Sequence, residues 1–184
     1  MAKVLIGLDP GFANSGMVVG IPHKHGFDVL DCRHFDTDNT AQKKQKLYVA
    51  EADMQRVIEM VEAVDDFITR CRARWNFGGL IVELPTAGAK SARAGRALAL
   101  TTGWVGALVK LKSLPVEYVT PSSVKQIVTG TNKATKEQIM AYVELNYPGF
   151  SWPAQVGQFE HIADAVVAIE AARNTNLYKL AMEK

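Results

Sequence analysis

The sequence predicts an α/β fold, a mixed five-stranded sheet with helices on both faces. Three observations favour it. The chain opens with three apolar runs joined by short connections, a pattern typical of an antiparallel meander. Apolar runs then alternate with stretches of helical periodicity, which favours strands linked by helices. The 184 residues are 48% hydrophobic and 22% charged, so the chain can bury a substantial core.

The strands are predicted from apolar runs that end in turn residues. The first run stops at Asp9-Pro10-Gly11, the fourth at Pro85 and the fifth before Pro121. Proline and glycine interrupt regular pairing, so each of these residues indicates the end of a strand. The predicted strands are 4–8, 17–21, 27–36, 80–84 and 116–119.

The helices are predicted from apolar residues at three- and four-residue spacing. The longest such pattern covers 45–74, and we expect Gly78-Gly79 to end it and to start the fourth strand. An Ala-, Leu- and Gly-rich helix is predicted over 91–111 and a short helical turn over 121–129. The remaining predicted helices are 135–146 and 158–174.

Composition limits the class of protein. No stretch approaches the ~18 apolar residues of a membrane span, and the first apolar run is too short for a secretory signal. Cys32 and Cys71 form no metal or disulfide framework and suit a reducing compartment. We therefore expect one domain over residues 1–184, no membrane contact and a cytoplasmic location, in a bacterium or a phage-infected cell.

Charge is distributed unevenly although the formal net charge is only +2. Residues 86–136 contain eight basic residues and one acidic residue, so this segment carries +7. The segments 1–85 and 137–184 carry −2 and −3. The basic segment predicts an anionic partner such as a nucleic-acid backbone. On charge alone, solvated helix faces explain it equally well.

Three acidic residues lie within apolar surroundings. Asp9 ends the first predicted strand, whose apolar residues are typical of a buried strand. Glu83 lies in the fourth predicted strand, and Asp164 is the one charged residue in 162–169 of the last predicted helix. Structural roles are open for each: turn chemistry for Asp9, an exposed edge-strand face for Glu83, and a buried hydrogen bond for Asp164. An ionised side chain is costly to bury unpaired, which favours a functional role instead.

The predicted geometry brings these acids together. Strands one and four are expected to be central, so Asp9 and Glu83 can lie side by side. His161 and Asp164 are three residues apart and project together from the last predicted helix. Clustered carboxylates repel one another unless cations neutralise them, and hard oxygen ligands suit Mg²⁺ or Mn²⁺. Two such ions about 4 Å apart are the standard device for phosphodiester cleavage.

Four motifs follow one another along nearly the whole chain. They are Gly7-Leu8-Asp9-Pro10-Gly11 with Ser15-Gly16, then Val82-Glu83, then a basic motif from Pro121 through Lys125 and Ala134 to Gln138, and last His161-Ile162-Ala163-Asp164-Ala165. In this order they resemble the RuvC-type Holliday junction resolvases. The resemblance implies a ribonuclease-H-like fold, a homodimer, and metal-dependent nicking of four-way DNA junctions in recombination and repair. The expected products are 5′-phosphate and 3′-hydroxyl ends.

The resemblance also implies roles for single residues. Asp9, Glu83 and Asp164 match the metal-binding carboxylates, and His161 stands where some members have a fourth acid. These residues would hold Mg²⁺, or Mn²⁺ in its place, with two ions per active site. Lys125 and Lys136 match basic residues near the scissile phosphate, and Lys136 is also a catalytic candidate. The basic segment adds further candidates for DNA contact: Lys90, Arg93 and Lys133.

Other functions remain open. The family typically has a junction-wedging aromatic after the glutamate, but 84–90 has none, so a relaxed branched-DNA nuclease is one alternative. A ribonuclease-H-type enzyme acting on RNA–DNA hybrids is another. A sugar- or acetate-kinase-like ATPase would need a second glycine-rich phosphate loop, which is not visible. A non-catalytic DNA-binding module would bind without metal and would not cut.

Overall fold

The computed structural model describes residues 2–37, 48–84, 88–89 and 91–183. Its strands are β1 (Lys3–Asp9), β2 (Asn14–His23), β3 (Gly26–Asp36), β4 (Asn76–Glu83) and β5 (Val116–Val119). Its helices are α1 (Val49–Arg74), α2 (Ala92–Leu111), α3 (Pro121–Thr129), α4 (Lys136–Asn146), α5 (Val156–Ala171) and α6 (Asn176–Met182).

The five strands form one mixed sheet in the order β3-β2-β1-β4-β5. The first three strands pair antiparallel as the predicted meander, and β4 and β5 run parallel to β1. The expectation that strands one and four are interior is therefore confirmed. The carboxyl ends of β1 and β4 consequently lie next to each other at one edge of the sheet.

Two hydrophobic cores cover the two faces of the sheet. Side chains alternate along each strand, so Leu5 and Ile81 face α3 to α6, whereas Ile6 and Leu80 face α1 and α2. All four side chains are fully buried. Helices on both faces of a mixed sheet confirm the predicted fold class.

The predicted role of Gly78 and Gly79 is wrong. The long helix ends at Arg74, and both glycines lie inside β4. The pairing of β1 with β4 shifts by one residue here, from Val4 opposite Phe77 to Leu5 opposite Gly79, so Gly78 is the extra residue of a bulge. A β-carbon on Gly79 would lie 2.8 Å from the Leu177 side chain, so this glycine lets α6 pack on the sheet.

Other boundaries differ by a few residues. The second strand begins at Asn14 rather than residue 17, because its pairing with β3 continues to Asp36. The last predicted helix ends at Ala171, and α6 was not predicted. The predicted start of the long helix near residue 45 lies outside the described residues. No described helix is long and apolar enough to cross a membrane.

Candidate active site

Asp9 and Glu83 occupy neighbouring positions at the carboxyl ends of β1 and β4. The parallel register pairs Leu8 with Val82, which sets the next residues, Asp9 and Glu83, beside each other. Strand alternation places both on the face that carries α5, because Leu8 and Val82 belong to the opposite core. The sheet itself therefore brings the first two predicted acids together.

Two glycines let α5 lie directly on this face. A β-carbon on Gly7 would stand 2.3 Å from the carbonyl oxygen of Ala165, and one on Gly16 would stand 2.1 Å from that of His161. These are contacts with helix backbone, which cannot move aside as a flexible side chain can. The glycines thus fix α5 over the ends of β1 and β2, where it presents His161 and Asp164 to the two strand acids.

His161 is hydrogen-bonded to Asp9. The Nδ1–H of the ring donates to Oδ2 of Asp9 across 2.7 Å, and both side chains remain partly exposed. An ionised carboxylate can only accept, so this bond assigns the proton to Nδ1. In the neutral ring, Nε2 then keeps its lone pair for another partner.

Glu83 is the most strongly perturbed carboxyl group of the cluster. Burial, and after it the charges of Asp9 and Asp164, raise the pKa of Glu83 from 4.5 to about 9, although Lys125 acts to lower it. Its Oε2 atom is buried and has no hydrogen-bond partner among the described residues. A buried carboxylate without a partner is costly, so this atom needs either a proton or a cation.

Asp164 shows the same pattern more weakly. Burial and the nearby charge of Asp9 raise the pKa of Asp164 from 3.8 to about 7, while His161, Lys136 and Lys125 lower it. The two sets of causes describe one electrostatic cluster that contains the acids, the histidine and both lysines. The protein's own cations compensate the acids only in part.

A cavity of about 500 Å³ joins the acids to the basic residues. Glu83, Asp164, Lys125 and Lys136 all line it. It also meets the first turn of α4, where Thr135 accepts from the backbone N–H of Gln138 and caps the helix. The positive end of a helix dipole favours an anion at this position.

Two neighbours of the site were not predicted from the sequence. Glu160 forms an ion pair with Lys136, which holds the lysine beside α5. His34 stacks on His161 with the ring centroids 5.7 Å apart, and its Nε2 atom is buried without a hydrogen-bond partner in the described structure. Burial and the nearby His161 lower the pKa of His34.

The remaining DNA-contact candidates lie elsewhere. Lys133 is exposed in the turn before α4 and does not line the cavity of the acids. Arg93 lies in the first turn of α2 and lines a different cavity. Lys90 lies outside the described residues. The structure thus joins Lys125 and Lys136 to the acidic cluster and separates Arg93 and Lys133 from it.

The donor atoms of the cluster suit a hard divalent cation. Carboxylate oxygens from Asp9, Glu83 and Asp164 are the ligands that Mg²⁺ and Mn²⁺ prefer, and a cation could take the place of the proton on the unpartnered Glu83 oxygen. Across the described residues, no three His, Cys, Asp or Glu side chains are already arranged to hold a metal ion. The chemistry of these ligand atoms therefore fits a metal ion, although the described side chains are not arranged as a complete ligand set.

Comparisons with known proteins give a fold. No protein-family model matches the chain, and no curated protein matches it. Two solved structures of Thermus thermophilus RuvC are similar to it. The one in complex with a Holliday junction substrate has 20% sequence identity and a TM-score of 0.68, and the alignment covers 92% of each chain. The other has 18% identity and a TM-score of 0.65, and covers 92% of this chain and 95% of that one. This chain therefore has a RuvC-type, ribonuclease-H-like fold.

Proposed function

We propose that this protein is a metal-dependent endonuclease that nicks four-way DNA junctions during recombination and repair. One observation carries the proposal. Asp9, Glu83, His161 and Asp164 gather at the ends of two central strands, beside a cavity that Lys125 and Lys136 line. The shared fold supports it, because the Thermus thermophilus protein of that fold has been solved with a Holliday junction substrate.

Asp9, Glu83 and Asp164 would hold the cations, with His161 Nε2 as a further donor. Mg²⁺, or Mn²⁺ in its place, would supply a more acidic attacking water and neutralise charge on the scissile phosphate, as a pair of ions does in two-metal nucleases. The described side chains do not form a complete ligand set, so they would have to rearrange around the cations. Mutual repulsion between the acids opposes that rearrangement until positive charge is present.

The chain's own residues would bind and orient the DNA phosphate. Lys125 and Lys136 line the same cavity as Glu83 and Asp164. Their ammonium groups can therefore contact phosphate oxygens while the carboxylates hold the cations. The bond to Asp9 holds the His161 ring in one orientation and one tautomer. If Nε2 does not bind a metal ion, its lone pair can instead position the attacking water by accepting its hydrogen bond. The expected ends are 5′-phosphate and 3′-hydroxyl.

The proposed partner is branched DNA, and the proposed assembly is a homodimer. Two opposed nicks in a junction of roughly two-fold symmetry are most simply made by two symmetry-related sites. The described residues of one chain offer one such acidic cluster, so a second copy would supply the second site. The basic segment 86–136 would hold backbone phosphates on either side of the cleaved bond.

The decisive experiment is cleavage of a synthetic immobile four-way junction with Mg²⁺, Mn²⁺ or EDTA, with the nicks mapped on each strand. We expect cutting that requires metal. Asp9→Asn, Glu83→Gln and Asp164→Asn should each abolish cleavage and leave junction binding largely intact. Glu144→Gln, a change in an exposed glutamate of α4, serves as the matched control. Retained cutting in any of the three variants contradicts the assignment.

The same fold allows a second nuclease function, cleavage of RNA–DNA hybrids. An RNA–DNA hybrid and a linear DNA duplex should therefore be tested beside the junction. Preferred cutting of the hybrid would replace junction resolution by a ribonuclease-H-type activity. Comparable cutting of several branched DNAs would indicate a relaxed branched-DNA nuclease. Metal-independent binding without cutting would indicate a DNA-binding module.

A further inference from the structure

A second cavity, of about 680 Å³, lies outside the acidic cluster. It is bounded by the turn between β1 and β2 and by the first turns of α1 and α2, and none of the four candidate metal ligands lines it. Phe12, which lines the cavity, is three residues after Asp9, so the cavity and the acidic cluster are connected by the turn after β1. Its size falls within the usual range of ligand cavities.

Phe12 and Arg56 form a prearranged stacked pair in this cavity. The guanidinium carbon of Arg56 lies 4.3 Å from the centroid of the Phe12 ring. The Nε–H of Arg56 donates to the hydroxyl oxygen of Thr37 across 2.8 Å, and the backbone N–H of Thr37 donates to the carbonyl oxygen of Ala13. These bonds tie the guanidinium to the turn that carries Phe12, so little conformational freedom remains to be lost when a ligand binds.

The cavity has an excess of positive charge. Three arginines line it, Arg56, Arg93 and Arg96, together with a single acid, Asp53. Arg96 contacts Asp53 at 2.7 Å, whereas Arg56 and Arg93 have no acidic partner among the ion pairs of the described residues. The cavity therefore favours an anionic ligand.

Apolar side chains complete the lining. Ala13, Ala97 and Leu100 line the cavity together with Phe12, so it offers both apolar and aromatic surface and cationic groups. A ligand that matches both features needs a flat, apolar ring system and a negative charge a short distance away. A nucleotide has this combination, because its base stacks on aromatic rings and guanidinium planes and its phosphate pairs with arginine.

We propose that this cavity binds an unpaired nucleotide of the DNA substrate, with its base against Phe12 and Arg56 and its phosphate at Arg93. This inference rests on the proposed function for the identity of the DNA, but it concerns a separate surface. The Phe12–Arg56 pair would hold a base displaced from its stack near the branch point. The turn 9–14 would then link that base to the position of Asp9.

The test combines loss of the aromatic ring with loss of the base. Dissociation constants are measured in EDTA, so that cleavage plays no part, for junctions that carry one abasic site at successive positions near the branch point. The proteins are the wild type, Phe12→Ala, Phe12→Trp and Arg56→Ala. Arg74→Ala is the matched control, because Arg74 also lies over an aromatic ring, that of Trp75, but at the far end of α1. A single-stranded oligonucleotide with the same abasic series forms a second arm.

For the wild type, an abasic site at the contacted position should weaken binding about 5- to 160-fold, the range for loss of one stacked base. Phe12→Ala and Arg56→Ala should weaken binding to the intact junction by a similar factor and should lose nothing more at that abasic position. Phe12→Trp should keep the affinity, and Arg74→Ala should match the wild type. Melting temperatures verify that each variant is folded.

Several outcomes would overturn the inference. One is an affinity of Phe12→Ala for the junction equal to that of the wild type. Another is that the losses of affinity from Phe12→Ala and from the abasic site multiply at every position, because independent losses mean that the ring does not contact the missing base. Equal losses in Arg74→Ala would do the same, since they would reflect charge alone. If the wild type binds single strands in this Phe12-dependent way but not junctions, the inference stands and the proposed function fails. Binding to neither DNA would overturn both.

Discussion

At the scale of the residue, the acidic cluster contains more negative charge than its surroundings compensate. Glu83 is buried, one of its oxygens has no partner among the described residues, and burial and two neighbouring acids raise its pKa to about 9. Lys125 acts in the opposite direction but does not cancel these effects. The folded, metal-free protein therefore keeps a proton on Glu83 at neutral pH, where the unfolded chain releases it.

This proton links stability to pH. Because the folded pKa of Glu83 lies above its unfolded value of 4.5, its contribution to stability is largest below pH 4.5 and is lost as the pH rises towards 9. We expect Glu83→Gln to raise the melting temperature of the metal-free protein at pH 8 by at least about 2–4 °C, the shift that accompanies 1 kcal/mol in a chain of this size. The gain should become small at pH 5.

Thermal melts of both proteins across this pH range, in EDTA, check the prediction. Glu144→Gln should show no such dependence, because Glu144 is exposed. Addition of Mg²⁺ at pH 8 should raise the melting temperature of the wild type and have much less effect on Glu83→Gln. A gain in Glu83→Gln that is equal at pH 5 and pH 8 would show that the carboxyl group is not the cause.

The ion pair between Lys136 and Glu160 leads to two opposite expectations. Lys136→Ala should weaken junction binding and reduce the slope of log K against log salt by about 0.9, the value for one lost phosphate contact. Glu160→Gln should strengthen binding, because it frees the lysine and removes a negative charge from the same surface. Binding titrations at several salt concentrations measure both. Equal slopes in Lys136→Ala and the wild type would place Lys136 away from the phosphate.

The acids could be recognised in the sequence because they interrupt apolar runs. Asp9, Glu83 and Asp164 each lie in a segment whose other residues belong in a core, so their charge required an explanation. His34 and Glu160 gave no such signal, since each lies among other polar residues. Their importance comes from contacts with His161 and Lys136, which are made between elements distant in the chain and are not contained in a linear pattern.

At the scale of the element, the position of α5 depends on two glycines in neighbouring strands. Gly16→Ala should destabilise the protein by at least about 1–3 kcal/mol, since the new methyl group would meet the carbonyl of His161 at 2.1 Å. The helix must move to make room, so His161 and Asp164 would leave their places and cleavage should fall further than stability alone explains.

Gly103→Ala is the matched control for this change. Gly103 lies within α2 with open space around its missing β-carbon, so alanine there should stabilise the helix by about 0.5–1 kcal/mol. Chemical denaturation gives both free energies of unfolding, and single-turnover cleavage gives the activities. Wild-type cleavage in Gly16→Ala would show that α5 does not need its close contact with β2.

Most elements could be predicted because each has a local signal. The apolar run of β1 ends at Asp9-Pro10-Gly11, and the spacing of buried residues in α1 follows its period. The failures arose where a tertiary contact decides. Gly78-Gly79 is a usual signal for a helix end, but here the two glycines form a strand bulge and admit α6. The seven-residue α6 is too short for its period to stand out.

At the scale of the whole molecule, the near-neutral charge conceals two opposed regions. The acids lie at the sheet edge, and the segment 86–136 supplies basic residues to two separate cavities. This arrangement is the one expected if, as proposed, the basic residues bind a DNA backbone and the acids hold metal ions. That residues 1–184 form a single nuclease domain, located in the cytoplasm, stays a prediction.

The homodimer is tested in solution. Sedimentation equilibrium should give about twice the 20.1 kDa of one chain, and a junction should receive two opposed nicks within the lifetime of one complex. A cruciform plasmid assay distinguishes paired nicks, which linearise the DNA, from single nicks, which relax it. An active protein that stays monomeric on the junction would contradict the prediction.

The bulge at Gly78 also constrains how the chain can change in length. Along a regular strand, every second side chain points to the same side, yet Phe77 shares a core with Leu80, three positions away. Gly78 is the extra residue between them, and it reverses the alternation of side chains along β4. Phe77 can therefore pack in the core that contains Leu80, while Glu83 points to the opposite face. Removal of Gly78 would restore regular alternation along β4. Either Phe77 or Glu83 would then point to the face opposite to the one it occupies now. We therefore expect insertions or deletions of one residue in 78–79 to impair folding more than single substitutions elsewhere in β4.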